Sequence, residues 1–191
     1  DDITQTMSSA GQQFAILLPL YTGSAANSYG RHLRQAVAPK TGWFINRNPS
    51  PVNYASFDKR NASKLFRLCG LHEGEEFQKN YGVKISDLKL GSTISPDSTF
   101  SISIVDVAGN ALESYSGVTL NESDENFIGK KIGDQYQEWN STLKKYNLKG
   151  EYPNKSDFVR VEMADDWKAG ISDSKMLPFG FHLPRRPLSL Q

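Results

Sequence analysis

The pattern of apolar and polar positions is clearest between Thr99 and Leu120. Phe100, Ile102 and Ile104 alternate with Ser101 and Ser103, the period of a strand that buries one face. Gly109-Asn110 follows, and both residues tolerate the positive φ that a tight hairpin turn requires. Centring the turn there sets Ile104 opposite Tyr115, Ile102 opposite Gly117 and Phe100 opposite Thr119. A lone hairpin is marginal in water, so this one is expected at the centre of a larger antiparallel sheet. Val159, Val161 and Met163 alternate with Arg160 and Glu162 and predict a second half-buried strand.

Helical spacing follows behind the hairpin. Tyr136, Trp139, Leu143 and Tyr146 fall on one helical face, Asp134 and Gln137 have capping-box spacing, and Gly150 lies beyond. The spacing predicts an amphipathic helix over 134–147 that covers the sheet. Ser56 to Cys69 reads as another helix, with Leu65, Phe66, Leu68 and Cys69 on its buried side and Gly70 as its stop. Glu73 to Tyr81 predicts a shorter one. Tyr29, Leu33, Ala36 and Val37 predict a fourth, capped by Asn27 or Ser28 and ended by Pro39. Phe14 to Thr22 suits a buried strand, with Pro19 placing it at an edge or a bulge. Trp43 to Ile45 predicts a short strand, and Val83 to Leu90 a strand with a polar break at Ser86-Asp87.

These elements predict an α+β fold: an antiparallel β-sheet built on the central hairpin, 99–120, with amphipathic helices packed on one face. The whole of 1–191 is expected to be a single domain. An extended arm over about 1–13 precedes it, and a proline-rich, extended tail over about 178–191 follows it.

Composition narrows the functional classes. The 191 residues are 38% hydrophobic and 23% charged, as in a folded globular chain, and the net charge is +1. No global field draws in nucleic acid or an anionic membrane. The longest apolar run, Phe14 to Tyr21, is too short to span a bilayer. With one cysteine, Cys69, no intrachain disulfide forms. The chain starts Asp-Asp rather than Met, which is read as processing or an expression product. Its final Leu-Gln resembles what chymotrypsin-like viral cysteine proteases leave on cutting a polyprotein, which would imply a processed viral structural protein.

Candidate chemistry is sparse. Cys69 near His72 invites a nucleophile–base pair, set against a cysteine acting as a small buried hydrophobe. Glu162, with Asp165-Asp166 beside Trp167, is a place for a glycosidase carboxylate pair or a calcium ligand set; Glu162 and Asp166 are the candidates, set against a solvated turn. His32, His72 and His182 show no metal-ligand spacing, so no metal or cofactor is expected. Arg31, Arg34, Lys40 and Arg47, with Tyr29, Trp43 and Phe44 interleaved, form a basic, aromatic patch of the kind that binds single-stranded nucleic acid, with Arg31, Arg34, Trp43 and Arg47 as the candidates, set against a solvated helix face.

No catalytic set coheres, while both ends are long enough to reach a neighbour. The leading expectation is a non-enzymatic binding or assembly subunit, a structural or interaction protein that is exported or part of a larger particle such as a virion. A protein partner or self-assembly is expected. The alternatives are a small hydrolase or transferase at the Glu162–Trp167 strand end or around Cys69 and His72, and a nucleic-acid-binding module.

Overall fold

The computed structural model describes residues 13–16, 18–19, 38–46, 62–72, 75–169 and 175–182. In chain order its elements are Gln13–Ile16 (β1), Leu18–Pro19 (β2), Pro39–Lys40 (β3), Trp43–Asn46 (β4), Lys64–Gly70 (β5), Glu75–Asn80 (α1), Tyr81–Lys89 (β6), Thr99–Asp106 (β7) and Ala111–Thr119 (β8). Ile128–Ile132 (α2), Tyr136–Asn140 (β9), Lys145–Lys149 (β10), Val159–Met163 (β11), Asp165–Lys168 (α3) and Pro178–His182 (β12) complete them.

The strands make two main sheets and a separate ribbon. One sheet has the order β1-β6-β7-β8. The other follows the path β12-β4-β5-β3-β2, and β11 also pairs with β5. All of these pairings are antiparallel. Phe44, Phe66, Leu68, Val159, Val161 and Phe181 from one sheet share a core with Val83, Ile85, Phe100, Ile102, Ile104 and Val118 from the other. Phe66 joins the two, stacked 4.9 Å from Phe44 and 5.8 Å from Phe100 between ring centroids. Phe127, Ile128 and Ile132 at α2 extend this core.

The α+β expectation is therefore corrected. The described residues form antiparallel β-sheets, and their three helices have six, five and four residues. None is an amphipathic helix laid across a sheet. The largest change is at 134–147, where the expected helix gives way to the β9–β10 hairpin, Tyr136–Asn140 paired with Lys145–Lys149. The Asn140 side-chain oxygen accepts from the backbone N–H groups of Thr142 (3.0 Å) and Leu143 (2.9 Å), closing a local turn, and Lys144 takes a φ of +50°. The aromatic stripe becomes a cross-strand pair: Trp139 faces Tyr146 edge-on at 5.0 Å.

The Ser56–Cys69 helix is likewise corrected from residue 62 onwards, with 56–61 outside the described residues. Lys64–Gly70 is a central strand, buried from Leu65 to Gly70 except at Arg67. Such a strand reads as an unbroken apolar run, which periodicity does not separate from a helix. Of the helix expected over Glu73 to Tyr81, Glu75–Asn80 is helical and Tyr81 already pairs with Asp106, with 73–74 outside the described residues. Pro178–His182, at the start of the expected tail, is a strand paired with β4. The Tyr29–Val37 helix, residues 1–12 and residues 183–191 lie outside the described residues.

Several strands match their patterns. The 99–120 hairpin, β6 and β11 form where expected. The Ser86-Asp87 break is a bulge with Asp87 at φ +52°. Pro19 sits on an edge strand. The hairpin's register differs from expectation: Ile104 faces Glu113, Ile102 faces Tyr115 and Phe100 faces Val118. Two irregularities cause the drift, one beside the turn and one at Ser116-Gly117, where Gly117 has a φ of +62°.

Candidate functional site

The side of β5 that faces away from the two-sheet core assembles most of the candidate chemistry. Alternation sends Phe66 and Leu68 inward and Arg67 and Cys69 outward. Pairing then places Arg160 of β11 and Lys40 of β3 beside Cys69, and Glu162 beside Arg67. One carboxylate meets two cations and a thiol on this surface. Glu162 Oε1 accepts from Arg67 Nη2 at 2.5 Å, while Oε2 accepts from Lys40 Nζ and from Cys69 Sγ, both at 3.2 Å. The Arg67 guanidinium lies 4.3 Å from the Trp43 ring centroid, and the Arg160 guanidinium 4.3 Å from that of Tyr136.

These contacts set the proton affinities. Burial alone would raise the Glu162 carboxyl. Hydrogen bonds from Arg67 and Cys69 and the charges of Arg67 and Lys40 outweigh it and hold the group at about 2. Burial pushes the Cys69 thiol up to about 12, with the Glu162 charge and hydrogen bond adding to it against Arg160 and Lys40. A carboxylate at about 2 is a weak base and carries no proton to give at neutral pH. A thiol at about 12 is not a nucleophile there.

The Glu162 carboxyl ionises at lower pH in the folded chain, about 2, than at its ordinary value of 4.5. Its contribution to stability is therefore fully present above about pH 4.5 and is lost as pH falls towards 2. Solvent screening at a side chain 27% exposed leaves about 1–2 kcal/mol of that contribution. Urea titrations of the native chain and Glu162→Gln between pH 6 and 2 are expected to converge as pH falls. A constant difference across the range would contradict the ion-pair assignment.

Above this surface opens a cleft of about 600 Å3, lined by Lys40, Trp43, Arg160 and Glu162 and by the aromatic rings of Phe127, Tyr152 and Trp167. Phe127 holds those rings together, stacked on Trp167 at 5.6 Å and edge-on to Tyr152 at 5.8 Å. Asp165 lines the cleft; Asp166 does not, and its Oδ2 accepts from the Lys64 backbone N–H at 3.4 Å. The suggested Glu162–Asp166 pair is thus not presented to one cavity. Among the described residues, no group of three or more His, Cys, Asp and Glu is placed to hold a metal ion.

Cys69 and His72 also differ in burial and in partners. Cys69 is fully buried and bonded to Glu162, whereas His72 is exposed, with its ring 6.2 Å from Phe77. Trp43 is half-buried under Arg67. Arg31, Arg34 and Arg47 lie outside the described residues. Sequence reasoning missed Arg67 and Arg160, although the outward positions of a half-buried strand were readable for Arg160, and it placed Lys40 in a basic patch rather than beside Glu162. It also missed the exposed face of the β9–β10 ribbon.

Among the described residues that ribbon shares no ladder with either sheet. Trp139, Leu143, Tyr146 and Leu148 are 51–63% exposed along it. Its foot, by contrast, is fixed. Asp134 Oδ1 accepts from the N–H groups of Glu151 (2.9 Å) and Tyr152 (2.7 Å), and Asn154 exchanges two hydrogen bonds with the Gln135 backbone.

Among the described residues no helix is long and apolar enough to cross a membrane. No protein-family model, curated protein or solved structure matches this chain.

Proposed function

We propose that this chain is a non-enzymatic binding or assembly subunit, working through protein contacts as part of a larger or exported particle. The observation that carries the reading is the β9–β10 ribbon. A two-stranded hairpin is marginal on its own in water, yet this one is pinned at its foot and holds four large apolar side chains in solvent. Contiguous exposed apolar surface on a rigid support is characteristic of an interaction site. The state of the neighbouring groups supports the same reading, since Glu162 is committed to Arg67 and Lys40 and Cys69 is buried.

Native mass spectrometry at working concentration tests it. The full chain is expected to self-associate or to hold a co-purified protein in stoichiometric amount. Tyr146→Asp, on the exposed face, is expected to shift the mass to the monomer without changing thermal stability. A strict monomer at high concentration, unaltered by Tyr146→Asp, would count against self-assembly.

A second reading is a small hydrolase or transferase. One observation favours it: the 600 Å3 cleft contains Glu162. That reading needs a catalytic group whose proton affinity lies nearer neutral than those of Glu162 and Cys69.

A further inference from the structure

The β9–β10 ribbon stands as a partition. Tyr136 and Lys149 line the 600 Å3 cleft, and Tyr146 and Leu148 line a second, open cleft of about 770 Å3 between the ribbon and the end of β5. Gly70 and Leu71 form the opposite wall, and Arg160 and Tyr136 line both cavities. Among the residues lining the second cleft, Arg160 is the one with a formal charge.

Among the described residues that charge is unanswered by a carboxylate. Lys40 and Arg67 are paired with Glu162, and Lys149 lies 3.8 Å from Glu138. Among the described residues, the Arg160 guanidinium has no carboxylate partner; its neighbour is the Tyr136 ring at 4.3 Å. Stacking uses the flat face of a guanidinium and leaves its edge donors available for a fork-shaped contact to a carboxylate. Lys144 and Lys145 at the ribbon's tip add positive charge on the same arm.

Resting on the binding-subunit reading, we propose that this second cleft receives an extended segment of a partner protein carrying an aspartate or glutamate between large apolar side chains. The carboxylate pairs with Arg160, and the flanking side chains pack on Tyr146, Leu148 and Leu71. Charge complementarity commits the groove to an acidic occupant. The apolar walls commit it to a peptide rather than a small anion: Tyr146 and Leu148 are each 63% exposed, and a free carboxylate would leave both wet. The five-residue strands of the ribbon span about 17 Å, the reach of about five extended residues.

Selection of a random heptapeptide library on the full chain tests this, followed by affinities of the recovered peptides by fluorescence anisotropy. Recovered peptides are expected to share an acid flanked by Leu, Ile or Phe. Replacing that acid by its amide is expected to weaken binding at least tenfold on the native chain, and to change nothing on Arg160→Gln. Leu148→Asp, at an exposed position that leaves the fold intact, is expected to weaken binding at least tenfold. Circular dichroism melts of both variants separate lost contacts from lost structure.

The proposal is overturned if recovered peptides carry no acid, if none depends on Leu148, or if millimolar acetate displaces them completely. That last result would mark Arg160 as a small-anion site. Native mass of the unsubstituted chain, set beside the peptide selection, keeps the two readings apart. A native chain that stays monomeric yet binds acidic peptides removes self-assembly and leaves the groove. A self-associating chain that recovers no such peptide leaves assembly and removes the groove.

Discussion

Iodoacetamide at pH 8 is expected to alkylate Cys69 at least a hundredfold more slowly in the native chain than in urea. Ionisation supplies most of the difference. With the thiol pushed from 9.0 to about 12, its thiolate fraction at pH 8 falls about a thousandfold. The greater nucleophilicity of a more basic thiolate returns about twentyfold of that. Occlusion then slows the reaction further, because Cys69 has no exposed surface. Arg160 and Lys40 both act to lower the thiol's proton affinity, but burial outweighs them, and Glu162 opposes them from 3.2 Å. A native rate within tenfold of the unfolded rate would mean that the thiolate forms in the folded chain. It would make Cys69 a nucleophile and move the hydrolase or transferase reading ahead of the binding-subunit one. Glu162→Gln sharpens the measurement. It removes the neighbouring negative charge, so it is expected to raise the native rate while leaving the unfolded rate alone.

Legibility followed burial geometry. Where one face is buried and the other polar, alternation was decisive: Val159, Val161 and Met163 form β11, and Phe100, Ile102 and Ile104 form β7. The register of the hairpin was not legible, since the insertion at Ser116-Gly117 depends on how the strand bends and leaves only a glycine in the sequence. In β5 burial on both faces erased the periodicity. In the ribbon two periodicities coincided. Residues 136, 139, 143 and 146 satisfy helical spacing, but Trp139 and Tyr146 are also equidistant from the turn that Asn140 closes, and so meet across it. The missing discriminator was tertiary. A helix would need the sheet to bury its stripe, whereas α2, α3 and the other sheet already enclose the core.

The candidate site was legible as separate residues and not as a constellation. Cys69 and Glu162 both drew notice, for unrelated chemistries. Their hydrogen bond joins residues 93 apart in sequence, and the Lys40–Glu162 pair joins residues 122 apart. Only sheet register brings them together. Once assembled, each group neutralises what made the other interesting: the carboxylate raises the thiol's proton affinity, and the thiol helps hold the carboxylate ionised.

Everything attributed to the ribbon depends on its fixed foot, and Gly133 is where that can be broken. Gly133 lies between α2 and β9 with φ +104° and ψ 157°, a region that essentially glycine alone occupies. A Cβ there would lie 2.3 Å from the Asn154 Cα and 2.6 Å from the Pro153 carbonyl oxygen, both backbone atoms without a rotamer to yield. The same residue donates to the Gly129 carbonyl and accepts from the Val161 N–H, each at 2.8 Å, so its backbone cannot move without releasing α2 or β11. Gly133→Ala is therefore expected to destabilise the chain by at least about 3 kcal/mol in urea denaturation. Gly109→Ala is the control. Gly109 also has a positive φ, +88°, but a Cβ there meets nothing within 4 Å, so about 1 kcal/mol is expected. The difference between the two isolates the packing of 133 against 153–154 from the conformational cost they share. If the two substitutions cost the same, the ribbon is not seated on its foot as described. The groove beside Arg160 would then not be preformed, and any partner would have to order it on binding.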